Sequence, residues 1–197
     1  MFAEIISRPV SGQYPEKHFG AISPNCLWVK FTDNDFQSWV GSFQQGWEGY
    51  GTFIIVVDKQ GKAFVVAGGQ SCLVDISSRQ LINTIEISRT KSALLNDEQT
   101  KFYFSNGYDL QVMDLDGNVS VLFDSHYFDD IELIEIKGNK LYAKYWHYQR
   151  DTEPFYLEIN LQTKELIDSY YDSDKQEYTN EISNPSWFDK ITSWLKK

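Results

Sequence analysis

A chain of 197 residues that is 42% hydrophobic has the apolar material for a sizeable core, arranged as one large β domain or two small ones. Its formal charge of -10 argues against a nucleic-acid ligand, because phosphate binding needs clustered Lys and Arg. No run approaches the ~20 apolar residues of a membrane helix. The charge is also uneven. Residues 1–91 carry eight acidic and eight basic side chains, whereas residues 92–197 carry twenty and ten, an asymmetry expected of a surface directed at a basic partner.

The N-terminus, MFAEIISRPV, lacks the basic start and long apolar run of a signal peptide, so a cytoplasmic location is expected. Pro9, Pro15 and Pro24 predict irregular structure through residue 25, placed where it could cover an open sheet edge. Residues 27–43 read as two strands around Asp33-Asn34-Asp35. GWEGYG follows, and is expected to be a flexible inter-strand loop presenting Trp47 and Tyr50. Its glycine spacing is not that of a phosphate-cradling loop, and no Lys-Ser/Thr follows.

From Phe53 onward a strand pattern repeats weakly. Phe53 to Ile87, Ala93 to Phe123 and Ile131 to Tyr171 each give four strands separated by Gly-, Asn- and Asp-rich turns. The third strand of each copy carries an acid between apolar residues just before a turn: Val74-Asp75-Ile76, Met113-Asp114-Leu115 and Leu157-Glu158-Ile159. The acids recur at about the 40–50-residue period of four-stranded blades. These repeats resemble β-propeller blades, without the Trp-Asp and Gly-His signatures of WD-type repeats. The expected fold is all-β: antiparallel four-stranded repeats in an open or small propeller-like array, over 27–51, 52–91, 92–128 and 129–171. An ordinary meander folded as a sandwich or barrel would give a similar pattern. An acidic linker, 172–183, leads to a C-terminal amphipathic helix, 184–197. Asn184-Pro185 starts it, and Trp187, Ile191, Trp194 and Leu195 share one face. This helix is expected to pack on its own domain.

Little in the chain reads as catalytic. Cys26 and Cys72 have neither CxxC spacing nor a His-rich neighbour, and Cys72 reads as a small buried hydrophobe. His126 with Asp124, Asp129 and Asp130 in DSHYFDD reads as a solvated loop rather than a metal site. DLDGN, residues 114–118, starts like a calcium loop but has no Glu at its twelfth position, so a tight hairpin turn is expected. Glu48 beside Trp47 is a candidate glycosidase carboxylate without an identified partner. No cofactor, metal or catalytic residue is assigned.

The acidic half also holds dense aromatic clusters: SHYFDDIE, KYWHYQRD and DSYYDSD. Tyr and Trp supply desolvated anchors, and carboxylates steer a basic partner. Asp124, Asp129, Asp130, Asp151, Asp172 and Asp174 are therefore expected to steer, with Tyr127, Tyr145, Trp146 and Tyr148 as anchors. In size, acidity, aromatic content and lack of catalytic motifs the chain resembles the immunity proteins of bacterial toxin systems. That resemblance implies stoichiometric inhibition of a toxin domain, often a basic nuclease, with carboxylates standing in for phosphates. A carbohydrate- or ligand-binding β domain built on the GWEGYG loop, and a general interaction adaptor, are the other two readings.

Overall fold

A computed structural model describes the backbone of residues 1–21, 23–85, 89–124, 128–147 and 150–169. The predicted linker and C-terminal helix lie outside these residues. Among the described residues sixteen strands form four four-stranded sheets. The first blade holds β1 (Phe2–Ile6), β2 (Glu16–Phe19), β3 (Cys26–Thr32) and β4 (Ser38–Gln44). The second holds β5 (Phe53–Val57), β6 (Lys62–Ala67), β7 (Gln70–Asp75) and β8 (Gln80–Ile85). The third holds β9 (Ser92–Leu95), β10 (Lys101–Ser105), β11 (Asp109–Asp114) and β12 (Val119–Asp124). The fourth holds β13 (Phe128–Lys137), β14 (Lys140–His147), β15 (Arg150–Asn160) and β16 (Leu166–Asp168). The second, third and fourth blades are antiparallel meanders whose strands follow chain order. β1 lies against β5 and β9 against β13, so the first strands of the blades face the inside of the array.

Three apolar seams hold the blades together. The alternation of side chains along a strand sends successive residues to opposite faces. In β6, Ala63, Val65 and Ala67 meet Val29, Phe31, Trp39 and Phe43 of the first blade. Phe64 and Val66 turn the other way and meet Phe102, Phe104 and Met113 of the third. Burial on both faces is why β6 reads as KAFVVA rather than as an alternating strand. Tyr103 and Leu110 join the third blade to Leu133, Leu141, Tyr145 and Ile159 of the fourth. Each fully buried aromatic or aliphatic side chain contributes about 1.5–3 kcal/mol of transfer free energy. Polar ties cross the same seams: Trp39 Nε1 donates to the Ile76 carbonyl at 2.9 Å, Asn83 Nδ2 to the Gly117 carbonyl at 2.5 Å and Ser105 Oγ to the Ile131 carbonyl at 2.8 Å. Among the described residues no apolar cluster joins the fourth blade to the first, so the array is an open arc. No helix among them is long and apolar enough to cross a membrane.

The first 25 residues differ from the irregular segment expected. They supply β1 and β2, the two edges of the first blade, whose strand order is β1-β3-β4-β2. β2 runs parallel to β4. A parallel neighbour cannot follow by a tight turn, so residues 7–15 must cross from one edge of the sheet to the other. Arg8 lies 5.9 Å over the Trp28 ring, and Lys30 lies 5.7 Å from the Tyr14 ring. The crossing segment is thus a strap over the outward face of the first blade, not the cover for a sheet edge expected from sequence, since β1 and β2 are themselves the edges.

The repeat register is corrected in the fourth blade. Asp75 and Asp114 each end the third strand of their blade and cap the following turn. Asp75 Oδ1 accepts from Ser78 N at 2.7 Å, and Asp114 Oδ1 accepts from Asp116 N and Asn118 N, both at 2.9 Å. In the fourth blade Asn160 does this work, accepting from Gln162 N and Thr163 N at 3.0 Å. Glu158 lies two residues earlier, within β15. A Glu carboxylate is one methylene too long for this Asx-type closure, which the short Asp and Asn side chains make readily.

Candidate interaction surface

The described linking segments 45–52 and 89–91 lie at one end of the arc, together with the hairpin turns at 68–69 and 106–108. Backbone hydrogen bonds tie neighbouring loops there. Gly46 N donates to the Ala67 carbonyl at 3.0 Å, Trp47 N to Gly68 at 2.8 Å and Gly51 N to Thr90 at 3.0 Å. Lys91 N reaches Ser105 at 2.8 Å, and Ile131 N reaches Gly107 at 3.0 Å. The approach at Gly46 needs glycine, because a Cβ there would overlap the Gly68 carbonyl oxygen. The GWEGYG loop is therefore pinned to the second blade, which corrects the expectation of a flexible loop. From it Trp47 projects into solvent at 72% exposure.

Most of the residues assigned from sequence fall at or beside this end, although the structure separates their roles. Asp129 and Trp146 are direct cross-strand partners in the β13–β14 ladder. Asp129 is exposed and Trp146 half-buried, on the face of the fourth blade that points away from the third. An acid from one predicted cluster and an aromatic from another are thus neighbours on one patch. Asp130 is half-buried, with φ at +56°, where the β13–β14 register shifts between Asp129 and Glu132. Its carboxylate forms an ion pair with Lys91 in the linker between the second and third blades. Its charge is answered within the molecule, so it is a weaker steering group than the sequence implied.

Tyr145 is corrected from a surface anchor to a core residue. β14 alternates half-buried and buried along its whole length, and Tyr145 takes a buried position at 0% exposure. Its ring sits 4.7 Å from Phe128, and its hydroxyl lies 2.9 Å from both carboxylate oxygens of Asp168. In a strand, adjacent residues point to opposite faces, so Trp146 is outside because Tyr145 is inside. Asp124 closes β12 at the same end, directly across from Asp109. The side chains of Asp124 and Asp151, and Tyr127, Tyr148, Asp172 and Asp174 altogether, lie outside the described residues.

Two exposed aromatics were not assigned to the partner surface from sequence. The sequence reading gives Trp47 to the ligand-binding alternative, as an aromatic presented by the GWEGYG loop. Tyr108 is 49% exposed on a turn held by Asn106, whose Oδ1 accepts from Tyr108 N at 2.9 Å and Asp109 N at 2.7 Å. Its signal was the Asn-Gly turn, which places the next residue at a hairpin tip.

Elsewhere, His18 Nδ1 pairs with the buried Ser42 Oγ at 2.5 Å beneath the strap, beside a cavity of about 260 Å³ lined by Arg8, Glu16 and Trp28. Among the described residues no group of three or more His, Cys, Asp or Glu could hold a metal ion.

No protein-family model matches the chain, and no curated protein matches it. Several solved structures resemble it at low identity. A chain in the S. cerevisiae Dbp5 complex with Nup159 and Gle1 aligns with a TM-score of 0.47 at 10% identity, covering 79% of this chain and 41% of that one. The Kuenenia stuttgartiensis hydrazine synthase aligns at 0.48 and 15% identity, covering 83% and 51%. The extracellular domain of the B. thetaiotaomicron one-component system BT4673 aligns at 0.45 and 11% identity, covering 77% and 23%. The chain therefore spans about half or less of the length of each.

Proposed function

We propose that this protein is a non-enzymatic binding module that holds a basic protein domain against the loop-bearing end of its arc. The partner would centre on the corner of the fourth blade. The observation that carries this reading is the Asp129–Trp146 pair. It joins a steering carboxylate to a large amphipathic ring on a rigid ladder, in the half of the chain that holds the whole net charge. Trp anchors cost little side-chain entropy on binding, and exposed carboxylates accelerate encounter with a cationic surface. Trp47 and Tyr108 extend the same end of the molecule. Immunity proteins of bacterial toxin systems are the functional class this profile fits, and a basic toxin domain, such as a nuclease, is the partner proposed.

The test is capture by the tagged protein from its own cells at low salt, followed by association kinetics on the stoichiometric partner. The expected partner is one basic domain, released by high salt. Asp129→Lys should slow association at low salt, with the difference shrinking as screening lengths fall below about 10 Å. Trp146→Ala should speed dissociation by roughly tenfold or more, as truncation of a central anchor does. An acidic partner, or kinetics indifferent to both substitutions, would refute the assignment.

A second reading draws on Trp47, an exposed ring beside Glu48 on a pinned loop. Such a ring can stack on a sugar. Saturable quenching of fluorescence by a glycan, lost in Trp47→Ala, would favour that reading.

A further inference from the structure

We propose that the cavity between the strap and the outward face of the first blade is a binding site for a zwitterionic α-amino acid with an apolar side chain. The sheet register supplies its floor. One row runs Trp28–Ser42–His18 across β3, β4 and β2, and the next runs Glu4–Lys30–Val40–Glu16 across all four strands. Ser42 is the small residue between two rings. The Trp28 and His18 rings come within 6.1 Å of each other, edge to face, and His18 Nδ1 lies 2.5 Å from the Ser42 hydroxyl. Arg8 and Pro9 of the strap close one side of the hollow. The loop before β3 closes another, where Cys26 Sγ donates to the Ser23 carbonyl at 3.1 Å. The space is about 260 Å³, just below the roughly 300–1,000 Å³ of sites for drug-sized ligands, and suits a single amino acid.

The charges select the ligand. Lys30 is answered by Glu4 at 3.2 Å and lies by the Tyr14 ring, so the second row leaves Glu16 without a cation. Arg8 lies over the Trp28 ring. Among the described residues neither Arg8 nor Glu16 forms an ion pair, with the other or with a third group, although both line this cavity. Glu16 would repel a plain anion and Arg8 a plain cation. A ligand that carries both signs satisfies both.

The spacing agrees. An α-amino acid holds its ammonium nitrogen and carboxylate carbon about 2.5 Å apart. Charge-assisted hydrogen bonds of about 2.8 Å at each end extend that to about 8 Å. The two strand spacings between β2, which carries Glu16, and β3, which carries Trp28 beneath Arg8, amount to about 10 Å. The carboxylate would take the planar fork of Arg8, and the ammonium would take Glu16. The apolar side chain would lie on the half-buried Trp28 ring. The site belongs to the first blade, at the other end of the arc from the Asp129–Trp146 patch, and does not rest on the function proposed above.

The experiment is saturation-transfer NMR of the full chain against the standard amino acids, followed by titration calorimetry on the tightest. One apolar amino acid should bind with a Kd below about 5 mM. The analogues that lack its amine or its carboxylate should bind about tenfold more weakly or worse. Arg8→Ala and Glu16→Gln, both at exposed positions, should each weaken binding by a similar factor with Tm unchanged. The Cε1–H resonance of His18 should shift on titration, and that of His147, buried in the fourth blade, should not. The proposal is overturned by the absence of binding below about 5 mM, by equal binding of the deaminated acid, or by binding indifferent to either substitution. Where Arg8→Ala lowers Tm by loosening the strap, Glu16→Gln alone decides, because the backbone ladder of β2 to β4 does not depend on that side chain.

Discussion

Replacing Tyr145 with Phe isolates one hydroxyl. The ring would stay where it is, between Phe128 at 4.7 Å and Phe155 at 5.8 Å, so no cavity opens. What is lost is one donor to Asp168, a carboxylate at 7% exposure whose two oxygens both lie 2.9 Å from the tyrosine oxygen. A hydrogen bond to a charged group contributes about 1.5–3 kcal/mol, and a buried acceptor left short of its donor incurs its desolvation penalty. An expected loss of about 2 kcal/mol corresponds, for a chain of this length, to a fall in Tm of about 4–8 °C. Urea denaturation at pH 7 should show a lower midpoint with an unchanged slope, because the surface exposed on unfolding is the same. A loss of Tm under about 1 °C would refute the placement of Tyr145 in the core, and would return it to the surface role inferred from sequence.

Three other outcomes follow from local geometry. Phe36 is 86% exposed and held at φ +59° by the Asp33 turn, so Phe36→Gly should stabilise the fold by about 1 kcal/mol by relieving a left-handed conformation; a lower Tm would refute that. Burial pushes the Cys72 thiol up to about 12, so iodoacetamide at pH 8.5 should label half-exposed Cys26 and spare Cys72 until the protein unfolds; equal labelling would contradict the second-blade packing. The side-chain and then the backbone hydrogen bonds from Asn118 hold the Asp114 carboxyl below its ordinary value of 3.8. The folded-state value is depressed, so the stability linked to Asp114 is present above 3.8 and is lost as pH falls through the lower folded value. Acid titration of Asp114→Asn should therefore show a shallower loss of Tm below pH 4 than the parent, and identical curves would rule this contribution out.

The meander blades were legible because their information is local. Glycine and Asx turns punctuate alternating or continuous apolar runs; the expected boundary at 52 lies just before β5, that at 92 on the first residue of β9, and that at 129 one residue inside β13. The first blade was less legible. EKHF is four residues long and becomes a strand only by lying parallel to β4, a partner 24 residues away that no local pattern announces. The surface was half legible. That one of Tyr145 and Trp146 points outward follows from strand geometry, but which one does so depends on register, and the register is fixed by the apolar positions Leu141 and Ala143 inside the seam. The ion pair of Asp130 with Lys91 joins the fourth blade to the linker that precedes the third, and nothing within DSHYFDD foretells it. Glu158 was matched to Asp75 and Asp114 by apolar flanks, whereas the turn chemistry that defines the position belongs to Asn160.

The three-seam arc also has a thermodynamic character that a closed ring lacks. Among the described residues each blade packs only against its neighbours in sequence, so they behave as a short one-dimensional array with nearest-neighbour coupling. The two middle blades have two couplings each and the terminal blades one. Opening of the fourth blade need break only the Tyr103–Leu133 side of the molecule, so it should occur by a partial unfolding below the global free energy, visible as faster amide exchange in β14 and β15 than in β6 and β7. A ligand that grips the fourth blade would raise that local barrier first, and a partner-dependent slowing of exchange confined to one terminal blade would be its signature.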